Sequence, residues 1–227
     1  MWLSEIFTIK ELEEKTRNLY LACKKNINDM PLFFEDYFGI SYKLAFGEEK
    51  PKNSIYELLN NYYKNEFYVK EAFTNKYLKN HSVIYEYPIE NSRADIVEIN
   101  DSLRCYEIKT KYDNLDRLEK QISDYSKVFE YISIVCSIEK YEDINKIVPN
   151  YCGIITYRNR RNNRFSEIRK PLKTNIYKIE NVLKTFNKKE LYQHFNTNNI
   201  DDIVRENGEK ELLNICKNII KNKSLVH

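Results

Sequence analysis

Apolar residues recur at three- and four-residue steps in two stretches of the first half of the chain. The first stretch opens with a capping pair, Thr8 and Glu11, and its apolar positions then share one helical face. The second stretch, residues 54–78, has the same spacing and predicts the clearest helix of the chain. Residues 31–53 show no regular period and end in a Gly, Glu, Lys and Pro loop, so we expect an irregular segment there.

The hydrophobic period changes to two after residue 80. Residues 83–89, 93–100 and 103–109 predict three strands, and the polar turn at 100–102 makes a hairpin of the second and third. Residues 113–131 return to helical spacing, with apolar side chains on one face. The central part of the chain therefore alternates between the two kinds of element.

A segment that is apolar except for one serine, 132–136, indicates a strand at a central place in a sheet. A short helix and a further strand at 152–157 follow, and the chain ends in several short helices. The order of helix, three strands, helix and strand indicates an α/β core. We expect this core at 54–172, with a helical N-terminal extension at 1–53 and a helical C-terminal extension at 173–227 packed on the core.

Composition narrows the class of protein. The chain has 227 residues, 42% of them hydrophobic, which is enough for one sizeable folded core. The sequence shows neither an apolar run long enough to span a bilayer nor the basic-then-apolar order of a secretory signal. Five dispersed cysteines without a Cys-x-x-Cys pair are typical of reduced thiols, so we expect a cytoplasmic protein with no membrane partner. The net charge of +3 is too mild to indicate nucleic-acid binding by itself.

Charged residues interrupt the apolar alternation of the predicted hairpin. Asp95 lies on one strand, and Glu107 and Lys109 lie two apart on the other, so the strand period puts the last two on one face, where Asp95 can approach them. Carboxylates among apolar neighbours are costly unless they are paired or bind a cation. Hard oxygen ligands suit Mg²⁺ or Mn²⁺, and an ammonium group beside them can orient a water and stabilise phosphoryl charge. The group is equipped for metal-assisted phosphodiester hydrolysis.

The hairpin resembles the PD-(D/E)XK nuclease superfamily. The motif residues are Ala94 and Asp95 on one strand and Glu107, Ile108 and Lys109 on the next, with Ala94 where many members have proline. The resemblance implies a restriction-endonuclease-like core, in which helices flank a central mixed sheet in the order α-β-β-β-α-β.

The following helix extends the resemblance. Gln121 and Tyr125 are similar to the QxxxY motif of the RecB-like branch, which supports the active site and the DNA strand. Glu66, which we place on the buried stripe of the preceding helix, matches an acidic residue that many members use as a further metal ligand. Over about 60–157 the chain also resembles a family of small bacterial and phage proteins built on this core.

The resemblance implies a Mg²⁺- or Mn²⁺-dependent nuclease that hydrolyses DNA phosphodiester bonds. The residues that would carry the chemistry are Asp95, Glu107, Lys109, Gln121 and Tyr125. The residues that would hold the metal are Glu66, Asp95, Glu107 and, through its carbonyl, Ile108.

The densest basic cluster follows the last predicted strand. Arg158, Arg160, Arg161 and Arg164 alternate with asparagines, an arrangement that favours phosphate contacts, and Lys111 lies close enough to the hairpin motif to reach a substrate backbone. We expect these five residues to bind nucleic acid. A solvated loop explains the same arginines as well.

Several alternatives stay open at this point. DNA is the expected partner, but RNA, a protein partner and a homodimer are all compatible with the sequence. Some members of this fold bind nucleic acid or protein without cutting, as a phage accessory or counter-defence module would, and a nuclease toxin is a third candidate. The hairpin charges could also be a cross-strand salt bridge on a solvated face, and Glu66 could be a buried acid paired with a lysine.

Overall fold

The computed structural model describes residues 2–63, 65–158 and 165–223. These residues divide into two compact units, an N-terminal unit that ends at Val69 and a C-terminal unit that starts at Lys70. Each unit has a hydrophobic core of its own, and the two cores share no residue.

The N-terminal unit is helical. Its α-helices are α1 (Ile9–Cys23), α2 (Met30–Phe38), α3 (Tyr42–Phe46), α4 (Pro51–Asn61) and the first turn of α5 (Glu66–Tyr77). The predicted capping box of α1 is confirmed, because the Thr8 side chain accepts from the backbone N–H of Glu11 while the Glu11 carboxylate accepts from the backbone N–H of Thr8.

The prediction of an irregular segment at 31–53 is wrong, because α2, α3 and the start of α4 lie there. The aromatic side chains at the end of α2 supply the driving force, since the buried rings of Phe34 and Phe38 stack with centroids 4.4 Å apart. Gly39 and Gly47 adopt left-handed φ values of 67° and 63° just after α2 and α3, which ends each helix within a few residues.

The prediction of one helix over 54–78 is also wrong, because two helices, α4 and α5, occupy that stretch. Asn65 starts the second helix, since its side-chain Oδ1 accepts a hydrogen bond from the backbone N–H of Tyr68 at 2.8 Å. The break changes the helical phase, so that Glu66 is exposed rather than part of a buried stripe. The cap at Asn65 therefore starts a new helix, although the spacing of the apolar residues predicts one continuous helix.

The C-terminal unit is an α/β structure built on a six-stranded mixed sheet of the described residues, with the strands in sequence order. Its strands are β1 (Ser82–Ile89), β2 (Ser92–Ile99), β3 (Leu103–Lys109), β4 (Tyr131–Ser137), β5 (Gly153–Tyr157) and β6 (Phe165–Arg169). The pairs β3–β4 and β4–β5 are parallel, and the other three pairs are antiparallel.

Helices flank this sheet. They are the rest of α5, α6 (Leu118–Ser126), α7 (Tyr141–Ile147), α8 (Ile179–Leu183), α9 (Lys188–Phe195), α10 (Ile200–Glu206) and α11 (Glu209–Lys223). The apolar side chains of α6 join those of the sheet and of α8–α11 in one core. No helix among the described residues is both long and apolar enough to cross a membrane.

Two local predictions in this unit need correction. The helix predicted from residue 113 begins at Leu118, because Asp113 instead closes the turn after β3 by accepting hydrogen bonds from the Thr110 backbone N–H and hydroxyl at 2.6 and 2.9 Å. Strand β6 was not predicted, since Phe165 is its one fully buried residue and the strand lacks the alternation of a half-buried sheet.

The five cysteines are all buried and reduced. Cys23 belongs to the core of the N-terminal unit, and the other four belong to the core of the C-terminal unit.

Candidate active site

The pairing of β2 with β3 brings the predicted hairpin charges together. Ile96 lies opposite Tyr106, and one further step of this register places Asp95 beside Glu107. Asp95 is 7% exposed and Glu107 is 2% exposed, so the two carboxyl groups lie in the protein interior. A cross-strand salt bridge on a solvated sheet face does not describe this arrangement.

Each carboxylate oxygen of Asp95 has a polar partner among the described residues. Its Oδ2 accepts from the backbone N–H of Ile108 at 2.6 Å, and its Oδ1 lies 2.8 Å from the Nζ of Lys70. Burial, and then the negative charge of Glu107, raise the pKa of the Asp95 carboxyl to about 7, although the Lys70 ammonium and the Ile108 N–H act in the opposite direction.

Glu107 is held by three side chains. Lys109 Nζ and Gln121 Nε2 donate to its Oε1 at 2.8 and 2.6 Å, and the Tyr125 hydroxyl lies 2.9 Å from its Oε2. Lys109 Nζ also donates to Gln121 Oε1 at 3.1 Å. The predicted catalytic residues of β3 and α6 therefore form one hydrogen-bonded group.

The Tyr125 hydroxyl ties this group to the start of β2. It lies 2.7 Å from the carbonyl oxygen of Arg93 as well as beside Glu107, so its single proton is shared between two acceptors. Burial, followed by the charge of Glu107, raises the pKa of Tyr125 well above its usual range. Tyr125 is thus a neutral donor that fixes the orientation of the Glu107 carboxylate.

Two residues of the site were missed by sequence reasoning. Lys70 extends from α5 to Asp95 and to Glu86, and Glu86 also accepts from Arg93 Nε at 2.6 Å. Glu86 has a φ of 58°, and the β1–β2 ladder pairs its neighbours Tyr85 and Tyr87 with β2 but skips Glu86 itself. This local backbone distortion, which leaves the β1–β2 register unchanged on either side of Glu86, accompanies the turn of the carboxylate toward Lys70, and the alternation of apolar residues does not encode it.

The other predicted site residues within the description lie at the start of α5, just after β3 and just after β5. Glu66 is the exposed first residue of α5 and belongs to the N-terminal unit. Lys111 is half-buried with its Nζ 4.9 Å from the centre of the Tyr112 ring, and Arg158 is exposed just after β5. Three predicted nucleic-acid-binding residues lie outside the described residues: Arg160, Arg161 and Arg164.

The donor set of the site fits a small divalent cation. Asp95 and Glu107 offer carboxylate oxygens, which are the ligands that Mg²⁺ and Mn²⁺ prefer. Asp95 and Glu86 also present carboxylate oxygens within 4.8 Å of one another. The buried ammonium group of Lys70 contacts both of these acids, which indicates that positive charge is favoured at this position.

Comparison with known proteins shows that the sequence is similar to a family of phage proteins. The sequence family described as Bacteriophage P4 protein cII matches residues 52–226. Protein cII of Enterobacteria phage P4 is 31% identical over 96 residues, which are 41% of this chain and 36% of that relative. The chain thus matches little more than a third of the length of this curated relative.

One solved structure is similar over part of the fold. It is the SPO1766 protein of unknown function from Silicibacter pomeroyi, with a TM-score of 0.36 and 10% sequence identity, and the alignment covers 45% of this chain and 69% of that one.

Proposed function

The chain belongs to the Bacteriophage P4 protein cII family, and we propose that it is a metal-dependent nuclease that hydrolyses DNA phosphodiester bonds. The observation that carries the proposal is the group of buried Asp95 and Glu107 with the half-buried Lys109, because two buried acids beside a lysine suit phosphodiester chemistry better than they suit packing. We also infer a restriction-endonuclease-like core, since α5, β1–β3, α6 and β4 follow the order expected for it.

Asp95, Glu107 and the carbonyl of Ile108 would hold Mg²⁺ or Mn²⁺. When bound, the cation would act as a Lewis acid on the phosphodiester and favour ionisation of a water. The Gln121 and Tyr125 contacts hold the Glu107 carboxylate in one orientation, so that little reorganisation is needed when a substrate arrives.

Lys109 would position the attacking water. Among the described residues its ammonium donates to Glu107 and Gln121, which leaves the third N–H for a water or a phosphate oxygen. Because two contacts fix the Nζ, the third donor points in a defined direction. The ammonium charge would also stabilise the negative charge that builds on the phosphoryl oxygens.

Substrate affinity would come from the basic residues near the end of β5. Arg158 is exposed there, and Arg160, Arg161 and Arg164 follow in the sequence. Contacts of this kind release counterions from the nucleic acid, so binding should weaken steeply as the salt concentration rises.

The test is cleavage of linear, circular and single-stranded DNA by the purified chain with Mg²⁺ or Mn²⁺ and with EDTA. We expect metal-dependent cutting that falls by about 100-fold or more in Lys109→Ala, because the water loses its positioning group. Lys188→Ala removes an exposed lysine at the start of α9 and serves as the matched control, with activity close to that of the wild type.

Absence of cutting of any DNA form, together with absence of metal binding in calorimetry, would contradict the nuclease. That result would leave a non-cleaving binding module on the same scaffold. Cutting that persists in EDTA would contradict the role of the metal.

A further inference from the structure

Lys70 is a buried lysine in the middle of a carboxylate group. Its side chain is 9% exposed, its Nζ lies 2.8 Å from Asp95 Oδ1, and it also contacts Glu86 Oε1. A buried ammonium group needs charged partners, because it has lost most of its hydration. The Lys70 ammonium therefore lies where a metal ion bound to Asp95 would also have to lie.

Lys70 and a metal would need the same oxygen of Asp95. Within the described residues, Asp95 Oδ2 accepts from the backbone N–H of Ile108 at 2.6 Å, and Asp95 Oδ1 lies 2.8 Å from Lys70 Nζ. A divalent cation bound through Oδ1 would stand directly against the Lys70 ammonium, and two cations at that distance repel each other strongly in a poorly hydrated interior. The Lys70 ammonium therefore has to leave this oxygen when a metal enters.

Lys70 is the cation that can leave. Lys109 is held by Glu107 and Gln121 inside the catalytic group, and Arg93 contacts the far side of Glu86. The Glu86 side chain is 40% exposed, so the ammonium of Lys70 can move away from Asp95 toward solvent and keep an acidic partner as it does so. The long, unbranched lysine stem allows such a movement without a change of the helix.

We propose that Lys70 is the resident counter-ion of Asp95, and that a divalent metal has to displace it, so that Lys70 sets the metal concentration at which the site loads. The inference rests on the proposed function, since it concerns the same metal site. Lys70 acts here as a positioning residue through Asp95, with no contact to the reacting atoms.

The first test is calorimetric titration of Mn²⁺ into the wild type and into Lys70→Met. Methionine keeps an unbranched apolar stem in the buried position and removes the charge. We expect the variant to bind Mn²⁺ at least about tenfold more tightly, because the competing cation is gone. Lys79→Met removes an exposed lysine just after α5 and should leave the affinity unchanged.

Equal or weaker Mn²⁺ binding by Lys70→Met would overturn the inference, since Lys70 would then organise Asp95 rather than compete at it. If the wild type binds Mn²⁺ and the variant does not bind more tightly, the proposed function survives and only the role of Lys70 fails. If neither protein binds Mn²⁺, both proposals fail.

A second measurement uses the wild type alone and so does not depend on the folding of a variant. Brief acetylation of lysines with and without Mn²⁺, followed by mass spectrometry, reports the exposure of each amine. We expect acetylation of Lys70 to become several-fold faster with Mn²⁺ while Lys79, the internal control, does not change. Acetylation of Lys70 that is unaffected or slowed by Mn²⁺ would overturn the displacement.

Discussion

The carboxyl group of Asp95 titrates close to neutral pH because it is buried beside a second acid. Its folded-state pKa is about 7, against an ordinary value of 3.8. Between these two values the folded chain holds a proton that the unfolded chain has released. The free energy of unfolding must therefore fall as the pH rises through this window, and the dependence on Asp95 ends above about pH 7.

This linkage gives a prediction for Asp95→Asn. In EDTA, the wild type should lose up to about 4 kcal/mol of stability between pH 4 and 7 through this group, and the variant should lack that component because its amide does not titrate. Urea denaturation at a series of pH values measures the difference between the two proteins. Asp143→Asn, on the exposed face of α7, is the control and should follow the wild type. Parallel curves for the wild type and Asp95→Asn would contradict the raised pKa.

The placement of Asp95 opposite Glu107, with Lys109 on the same face, could be predicted because a hairpin has a fixed period and the turn at 100–102 fixes its register. Lys70 and Glu86 could not be found in this way. Lys70 is 25 positions before Asp95 and on another element, and a lysine in an amphipathic sequence is normally solvated. Glu86 reaches the site with a positive φ of 58°, a local distortion that depends on packing rather than on sequence spacing.

At the level of elements, apolar period and length predicted the central strands well, and local capping decided where helices begin. Asn65 starts α5 and Asp113 closes a turn, although both lie within stretches that read as helical. Strand β6 lies at the edge of the sheet, and its exposed residues give it no alternating pattern. Elements held by burial on both faces are thus easier to predict than elements held by a few side-chain contacts.

The start of β5 is sensitive to an added methyl group. A Cβ on Gly153 would lie 2.6 Å from Ser133 Oγ and 2.8 and 3.0 Å from Cδ and N of Pro171. Because backbone has to shift to relieve this contact, Gly153→Ala should lower the free energy of unfolding by about 1–3 kcal/mol. Urea denaturation measures the change, and Gly208→Ala, where a Cβ would meet no atom within 4 Å, is the control. Equal stability of the two variants would contradict the close packing of β5.

At the level of the whole molecule, the described residues include two core clusters of buried hydrophobic side chains that share no member. Phe34 is fully buried in the N-terminal core, and Phe129 is fully buried in the C-terminal core. The family match begins at residue 52, so α1–α3 with much of the N-terminal core precede it. Substitutions in the two cores should therefore act on different parts of the chain.

This separation predicts which part of the chain is destabilised by a large-to-small substitution in each core. Phe34→Ala should cost about 3–5 kcal/mol and speed amide hydrogen exchange chiefly in residues 2–63. Phe129→Ala, the matched substitution in the other core, should speed exchange chiefly in the sheet. Mass spectrometry of exchanged peptides locates the effect. A uniform rise over the whole chain in both variants would contradict two separately stabilised units.

The burial of all five thiols also has a practical consequence for the protein in the laboratory. Burial raises the pKa of Cys23 to about 11 and that of Cys136, Cys152 and Cys216 to about 12. It also raises the pKa of Cys105 well above its usual range. Few thiolates form at neutral pH, so the native chain should resist air oxidation and alkylating reagents. A thiol becomes reactive when the core around it opens, and Cys23 then reports on one unit while the other four report on the other. The reaction of each cysteine with a thiol reagent thus shows which unit of the wild-type chain has unfolded.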